Sequence, residues 1–418
     1  MGEEAVSDSQ AGAPSLGPFA PAFSGNPYPF YAVMRHGRRE MNLGPFRVWL
    51  LTRYEEALSG FKRPEIFSSL AFRESRPELL QARGATPEQV ASFEAVMLAS
   101  VPTVLNTDPP EHGRYRGILN RGFTPRGIGR IEGRIREITT ALVDELIRKG
   151  GPADLVRELT IPLPVTVIAE LLGVDPARRE EFKRWSDAAV NQNARGAELD
   201  RTIQAMGEFN AYFASEIERR RAVPSDDLIS VLVQAETDEG RLSPQELVAF
   251  CRLLLIAGNE TTTNLIGNAM IALLANPDQL ERLRAEPHLI ENAVEETLRF
   301  DPPVQGLPRA VLRDVEVGDE KIPAGARVLL MIGSANRDPD RWPDADRFDV
   351  GRDTTGHLGF GFGIHYCLGS HLARLESRIA LEAILGRLRN LRLAGDVERI
   401  VNPILRGPAR LPLAFEPA

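Results

Sequence analysis

The chain has 418 residues, 43% of them hydrophobic and 26% charged, which describes a globular protein able to bury a large core around a bulky group. Its net charge of −8 disfavours nucleic acid as a partner. Only two cysteines occur, Cys251 and Cys367, so no disulfide framework is readable and a reducing cytosol is the natural compartment.

The chain begins Met1-Gly2-Glu3-Glu4 and runs on through Ser, Gly and Pro, without the basic start and apolar core of a signal peptide. Residues 1–25 are expected to form a flexible arm, and Val6 stands where a myristoylation signal wants Ser or Thr. No apolar run approaches the roughly 20 residues that span a bilayer, so a soluble protein with no membrane partner is expected.

Val48 to Thr52 alternates as a strand and leads into a helical stretch from Tyr54 to Phe61. From about Ser68 to Asn106 the pattern is irregular. Asp108-Pro109-Pro110-Glu111-His112 then reads as a helix start with a capping box, Asp108 as cap and Glu111 reaching back. His112 and Arg116, four apart, share a face of that helix. Arginines follow at 114, 116, 121, 126, 130, 134 and 136, interrupted only by Glu132 and Glu137, which gives either a solvated helix face or a docking patch.

Ser243 as cap, Pro244 at the first helical position and Glu246 closing a capping box open the clearest helix of the chain. It should run to Ala275, where Asn276-Pro277 stops it, giving roughly 48 Å, enough to cross the whole domain. Its middle, Ala257-Gly258-Asn259-Glu260-Thr261-Thr262-Thr263, places poor helix formers where alanine or leucine would be cheaper. Such local misfit marks a candidate functional site. Further on, Glu296 and Arg299 lie three apart on a helix that Asp301-Pro302-Pro303 ends, and Val311–Val317 and Ala326–Met331 suggest a strand pair across a turn-rich connection.

Phe360-Gly361-Phe362-Gly363-Ile364-His365-Tyr366-Cys367-Leu368-Gly369 sets one cysteine in a glycine-rich loop just before a helix. Amides at a helix start favour a thiolate, and the glycines let the backbone approach a flat ligand closely, so Cys367 reads as an ionised ligand.

That ten-residue string closely resembles the haem-binding loop of the cytochrome P450 superfamily, at Phe360, Gly361, Gly363, His365, Cys367 and Gly369. The resemblance implies the P450 fold, mainly α with small β-sheets, with haem between the long central helix and the helix that follows the cysteine loop. It implies one catalytic domain over residues 26–418, haem b as cofactor and Cys367 as the iron ligand. His112, Arg116, Arg309 and His365 take the family's propionate-binding positions. Ala257, Gly258, Glu260 and Thr261 match its oxygen-activating motif, which implies that Glu260 helps relay protons from solvent and that the Thr261 hydroxyl stabilises the bound oxygen. Glu296 and Arg299, completed by Arg347, resemble its structural glutamate and arginine network.

The activity implied is that of a monooxygenase of the soluble bacterial type, cytoplasmic and monomeric, hydroxylating or epoxidising an apolar fatty acid, terpenoid, steroid or macrolide. Its second substrate is dioxygen. The chain carries no flavin, nicotinamide or iron–sulfur motif, so electrons should come from a ferredoxin and its reductase, docking near the arginine-rich helix. The segment from Ser68 to Asn106 would form a mobile apolar lid with Phe93 and Met97, while Arg73, Arg76 and Arg83 read as exposed loop residues. A peroxide-driven haem-thiolate enzyme and a non-enzymatic haem sensor are the alternatives.

Overall fold

The structure is a computed structural model and describes residues 25–37, 40–43, 46–72, 76–98, 100–191, 194–237 and 240–418. The N-terminal arm up to residue 24 and Arg73 lie outside the described residues. Among those described, no helix is long and apolar enough to cross a membrane.

Helices dominate. Those that position the site are α1 (Tyr28–His36), α2 (Tyr54–Lys62), α3 (Glu111–Asn120), α4 (Glu132–Lys149), α5 (Pro162–Leu172), α6 (Arg179–Val190), α7 (Ala197–Ala222), α8 (Pro244–Ala275), α9 (Ile290–Phe300) and α10 (Ser370–Arg387). The strands β1 (Glu40–Leu43), β2 (Phe46–Leu51), β3 (Phe67–Ser68), β4 (Leu307–Val311), β5 (Val315–Val317), β6 (Glu320–Ile322) and β7 (Arg327–Leu330) precede a small C-terminal sheet. The main sheet has the order β1-β2-β7-β4-β3, with β7 parallel to β2 and antiparallel to β4. Arg309 therefore sits on an interior strand, opposite Val328.

The capping box predicted at the start of α8 is present: the Glu246 amide donates to Ser243 Oγ at 3.2 Å and the Ser243 amide to Glu246 Oε2 at 2.6 Å. Glu246 also accepts the Tyr115 hydroxyl at 2.5 Å, so one carboxylate caps α8 and ties it to α3. The helix runs 32 residues to Ala275 and packs against α5, α7, α9 and α10. One apolar cluster gathers side chains from Leu80 to Phe415 around it, including Cys251, whose buried thiol is pushed far up by that burial.

Three expectations are corrected. Asp108 does not cap a helix: α3 begins at Glu111, and the Asp108 carboxylate is taken by the Ser68 hydroxyl and, at 2.9 Å, the Ser69 amide. The strand pair expected from Val311–Val317 and Ala326–Met331 is two pairs, because Gly318, at φ +59°, turns the chain early and sets β5 on β6, leaving β7 to pair with β4. The irregular stretch before Asn106 holds two helices, Arg76–Ala82 and Pro87–Met97. The second is capped by Thr86 and Gln89 and turns Phe93 and Met97 into the core.

Candidate active site

The cysteine loop is built from anchored amides. Gly361 and Gly363 adopt φ of +70° and +71°, and a Cβ on Gly363 would lie 2.9 Å from the Phe61 carbonyl of α2, so only glycine fits there. The Gly361 amide donates to Leu358 O at 2.8 Å, and the Cys367 amide returns to Phe360 O at 2.9 Å, which closes the loop over Cys367 before α10 begins. Burial raises the Cys367 thiol, while the Gly369 amide, Arg116 and Arg374 pull it down without prevailing. The expected ionised ligand is a metal-bound one, and bonding to a metal cation would remove the proton outright against that burial.

Four sequence-predicted donors converge above this loop. The His112 and His365 rings meet edge to face at 4.4 Å, and His365 Nε2 lies 2.9 Å from Ser69 Oγ. Burial, then Arg309 and His112, push the His365 imidazole down to about 3. Burial draws the Arg309 guanidinium down to about 10, with Asp108 opposing. Among the described residues neither Arg309 nor Arg116 has a carboxylate in ion-pair contact, and buried His112 Nε2 has no hydrogen-bond partner. One buried and one half-buried guanidinium, neither in ion-pair contact with a carboxylate, beside an orphaned ring nitrogen suit an anionic group with two carboxylates.

The misfit segment of α8 serves three neighbours. Asn259 Nδ2 donates to Ser186 Oγ of α6 at 2.8 Å, and Thr263 Oγ1 to Thr160 O at 2.8 Å. At Gly258 a Cβ would meet Ile168 of α5 at 3.1 Å, so the missing side chain lets the two helices cross closely. Ala257 is exposed in mid-helix, flanked by half-buried Ile256 and Gly258, which marks a cleft along that face. Thr261, one turn on, donates to Ala257 O at 2.7 Å and is partly open to the same side. Glu260 points away into α6, where Lys183 Nζ lies 3.1 Å from its Oε1 and also pairs with the exposed Asp187. Burial raises the Glu260 carboxyl against the pull of Lys183.

Beneath the loop, Arg299 is fully buried and bidentate to Glu296, at 2.7 and 2.9 Å. It also donates to the carbonyls of Asn336, Ala345 and Arg347. Arg347 contributes only this carbonyl; the second guanidinium on Glu296 is Arg352, at 3.3 Å. Sequence reasoning also missed Ser69, Lys183, His357 and Asn336. Of these, His357 alone carried a signal, lying three residues before the glycine-rich string.

An α-rich fold, a cysteine loop at a helix start and a cluster of anion-binding donors whose arginines, among the described residues, lack a carboxylate in ion-pair contact together define a haem-thiolate protein. Residues 194–410 match the family model described as Cytochrome P450, and the chain belongs to the cytochrome P450 family of monooxygenases. It is 39% identical over 406 residues to Cytochrome P450 107B1 of Saccharopolyspora erythraea, covering 96% of this chain and 98% of that one. It is 41% identical to the Vitamin D(3) 25-hydroxylase of Pseudonocardia autotrophica, over 96% of each. The myxobacterial cytochrome P450 CYP267B1, solved in complex with myristic acid, superposes at a TM-score of 0.85 with 37% identity, covering 95% of this chain and 98% of that one.

Proposed function

We propose that this chain is a monooxygenase that binds haem b through Cys367 and inserts one oxygen atom into an apolar small molecule, with electrons from a ferredoxin and its reductase. The observation that carries the reading is the pairing of the Cys367 loop with a donor cluster in which, among the described residues, neither arginine has a carboxylate in ion-pair contact and His112 Nε2 has no hydrogen-bond partner. Residues 26–418 act as one catalytic unit, which the apolar cluster running from Leu80 to Phe415 supports. When bound, a thiolate-ligated haem supplies the one-electron and dioxygen chemistry of the class.

In this reading His112, Arg116, Arg309 and His365 hold the two propionates. Phe360, Gly361 and Gly369 pack the thiolate side; on the opposite face Ala257 leaves room, while Gly258 lets α8 lie close against Ile168 of α5. Neither cysteine is available for a thioether link, since Cys251 is buried in the core, and this favours haem b over a covalently attached form. Thr261 offers a hydroxyl at the cleft. Glu260, Lys183 and Asp187 form a line of titratable groups from the buried helix to the surface, the arrangement a proton relay needs.

The substrate is apolar: Leu253 and Ile256 stand half-open beside Ala257, and two relatives are named for vitamin D3 hydroxylation and solved with myristic acid. The electron carrier docks where Arg121, Arg126 and Arg130 stand exposed without carboxylate partners among the described residues. Phe362 and Tyr366 of the cysteine loop add exposed aromatic surface. A cytoplasmic location follows from the same reading.

The test is optical. Steroids, fatty acids and macrolides should displace a water from the ferric haem and shift its absorption, and turnover should need ferredoxin, reductase and dioxygen. Turnover at the same rate with peroxide alone would overturn the role given to Glu260 and Thr261.

A further inference from the structure

Two adjacent carboxylates on α9 anchor two adjacent amides of the loop that leads to Cys367. Glu296 clamps Arg299, which donates to Asn336 O at 3.0 Å, and Asn336 Oδ1 accepts the Leu358 amide at 2.7 Å. Glu295 takes the second route. Its Oε2 lies 3.0 Å from His357 Nε2, and His357 Nδ1 accepts the Gly359 amide at 3.0 Å.

A backbone amide can only donate, so Nδ1 carries the lone pair and the ring proton sits on Nε2, directed at Glu295. Arg374 fixes Glu295 from the other side with bonds of 2.6 and 2.9 Å and lies over the Phe360 ring at 4.5 Å. Gly359 has no slack, since a Cβ there would stand 2.7 Å from Leu298 O. The next residue, Phe360, supplies the carbonyl that receives the Cys367 amide at 2.9 Å.

We propose that His357 is a positioning residue for Cys367: by holding the Gly359 amide it fixes the Phe360 carbonyl, and through it the place and donor strength of the sulfur. This rests on the reading of Cys367 as the iron ligand. The ring touches neither the cleft nor the donor cluster, and its side chain is only 7% exposed.

Leu and Asn have nearly the same size, but only Asn offers an oxygen where Nδ1 stands. His357→Leu and His357→Asn are therefore compared as haem-loaded proteins by the absorption band of the ferrous carbon monoxide complex, which separates thiolate from thiol ligation. The haem reduction potential and the rate of haem loss to apomyoglobin are read alongside. We expect His357→Leu to lose much of the thiolate-type band, to shift in potential and to release haem about 10-fold faster. His357→Asn should restore all three towards the wild type. Leu and Asn variants that behave alike, equally normal or equally damaged, would overturn the inference. A wild-type protein without the thiolate band would remove the Cys367 reading and the inference with it, whereas a normal wild-type spectrum with indistinguishable variants removes the inference alone.

Discussion

Arg299 shows how one buried charge can hold an architecture together. Its guanidinium is shared between Glu296 and three backbone carbonyls from the segment after β7, so every donor it offers inward is used. Arg299→Ala should leave Glu296 buried with only Arg352 and the Asp349 amide as partners and cost about 3–5 kcal/mol, seen as a large fall in Tm and failure to retain haem. Its neighbour Glu295 behaves differently with pH. Burial opposes its ionisation, yet hydrogen bonds from Arg374 and His357 bring the carboxyl down to about 2 from an ordinary 4.5. A depressed carboxylate stabilises the folded state fully above its unfolded pKa and loses that contribution as pH falls through the folded one. The Tm difference between wild type and Glu295→Gln should therefore be constant above about pH 4.5 and shrink towards zero near pH 2. A difference that grows on acidification would contradict the network as drawn.

Among the elements, α8 illustrates how poor helix formers are placed by their neighbours. Asn259, Thr263 and Gly258 each answer a contact from α6, Thr160 or α5, whereas Ala257 and Thr261 face the cleft. Glu260→Gln should retain haem and lower kcat on the order of 100-fold, because the relay loses its titratable carboxyl while the helix keeps its shape. Gly363→Ala combines an unfavourable φ with a Cβ 2.9 Å from Phe61 O and should destabilise by about 1–3 kcal/mol, read in Tm and haem retention. The start and end of α8 were legible in Ser243, Glu246 and Asn276-Pro277, since capping is a local matter. Asp108 misled for the opposite reason: its carboxylate is spent on Ser68 and Ser69, some 40 positions earlier, and no local pattern reports a partner that distant.

Over the whole molecule, charge is segregated more finely than the arginine run suggests. Arg134 and Arg136 are committed to Glu170 and Glu382, and Arg114 to Glu246, which leaves Arg121, Arg126 and Arg130 as the exposed, unpaired members among the described residues. Replacing these three by Gln should slow ferredoxin-driven haem reduction at low ionic strength and remove most of its salt dependence, measured by stopped flow. An unchanged rate would place the carrier elsewhere. The four donors His112, Arg116, Arg309 and His365 were readable as a set through the family resemblance. Ser69 and Lys183 were not, and His357 only by its place before the glycine-rich string, because their partners His365, Glu260 and Glu295 are remote in sequence and come within 3 Å or so only in the fold.

The burial of Cys251 has a practical consequence. With one of the two thiols sealed in the core and held protonated, an alkylating reagent has a single nucleophile to find in the native protein. Mass-spectrometric uptake of iodoacetamide should then count the molecules whose remaining sulfur is unengaged, and so gauge how completely a preparation carries its prosthetic group.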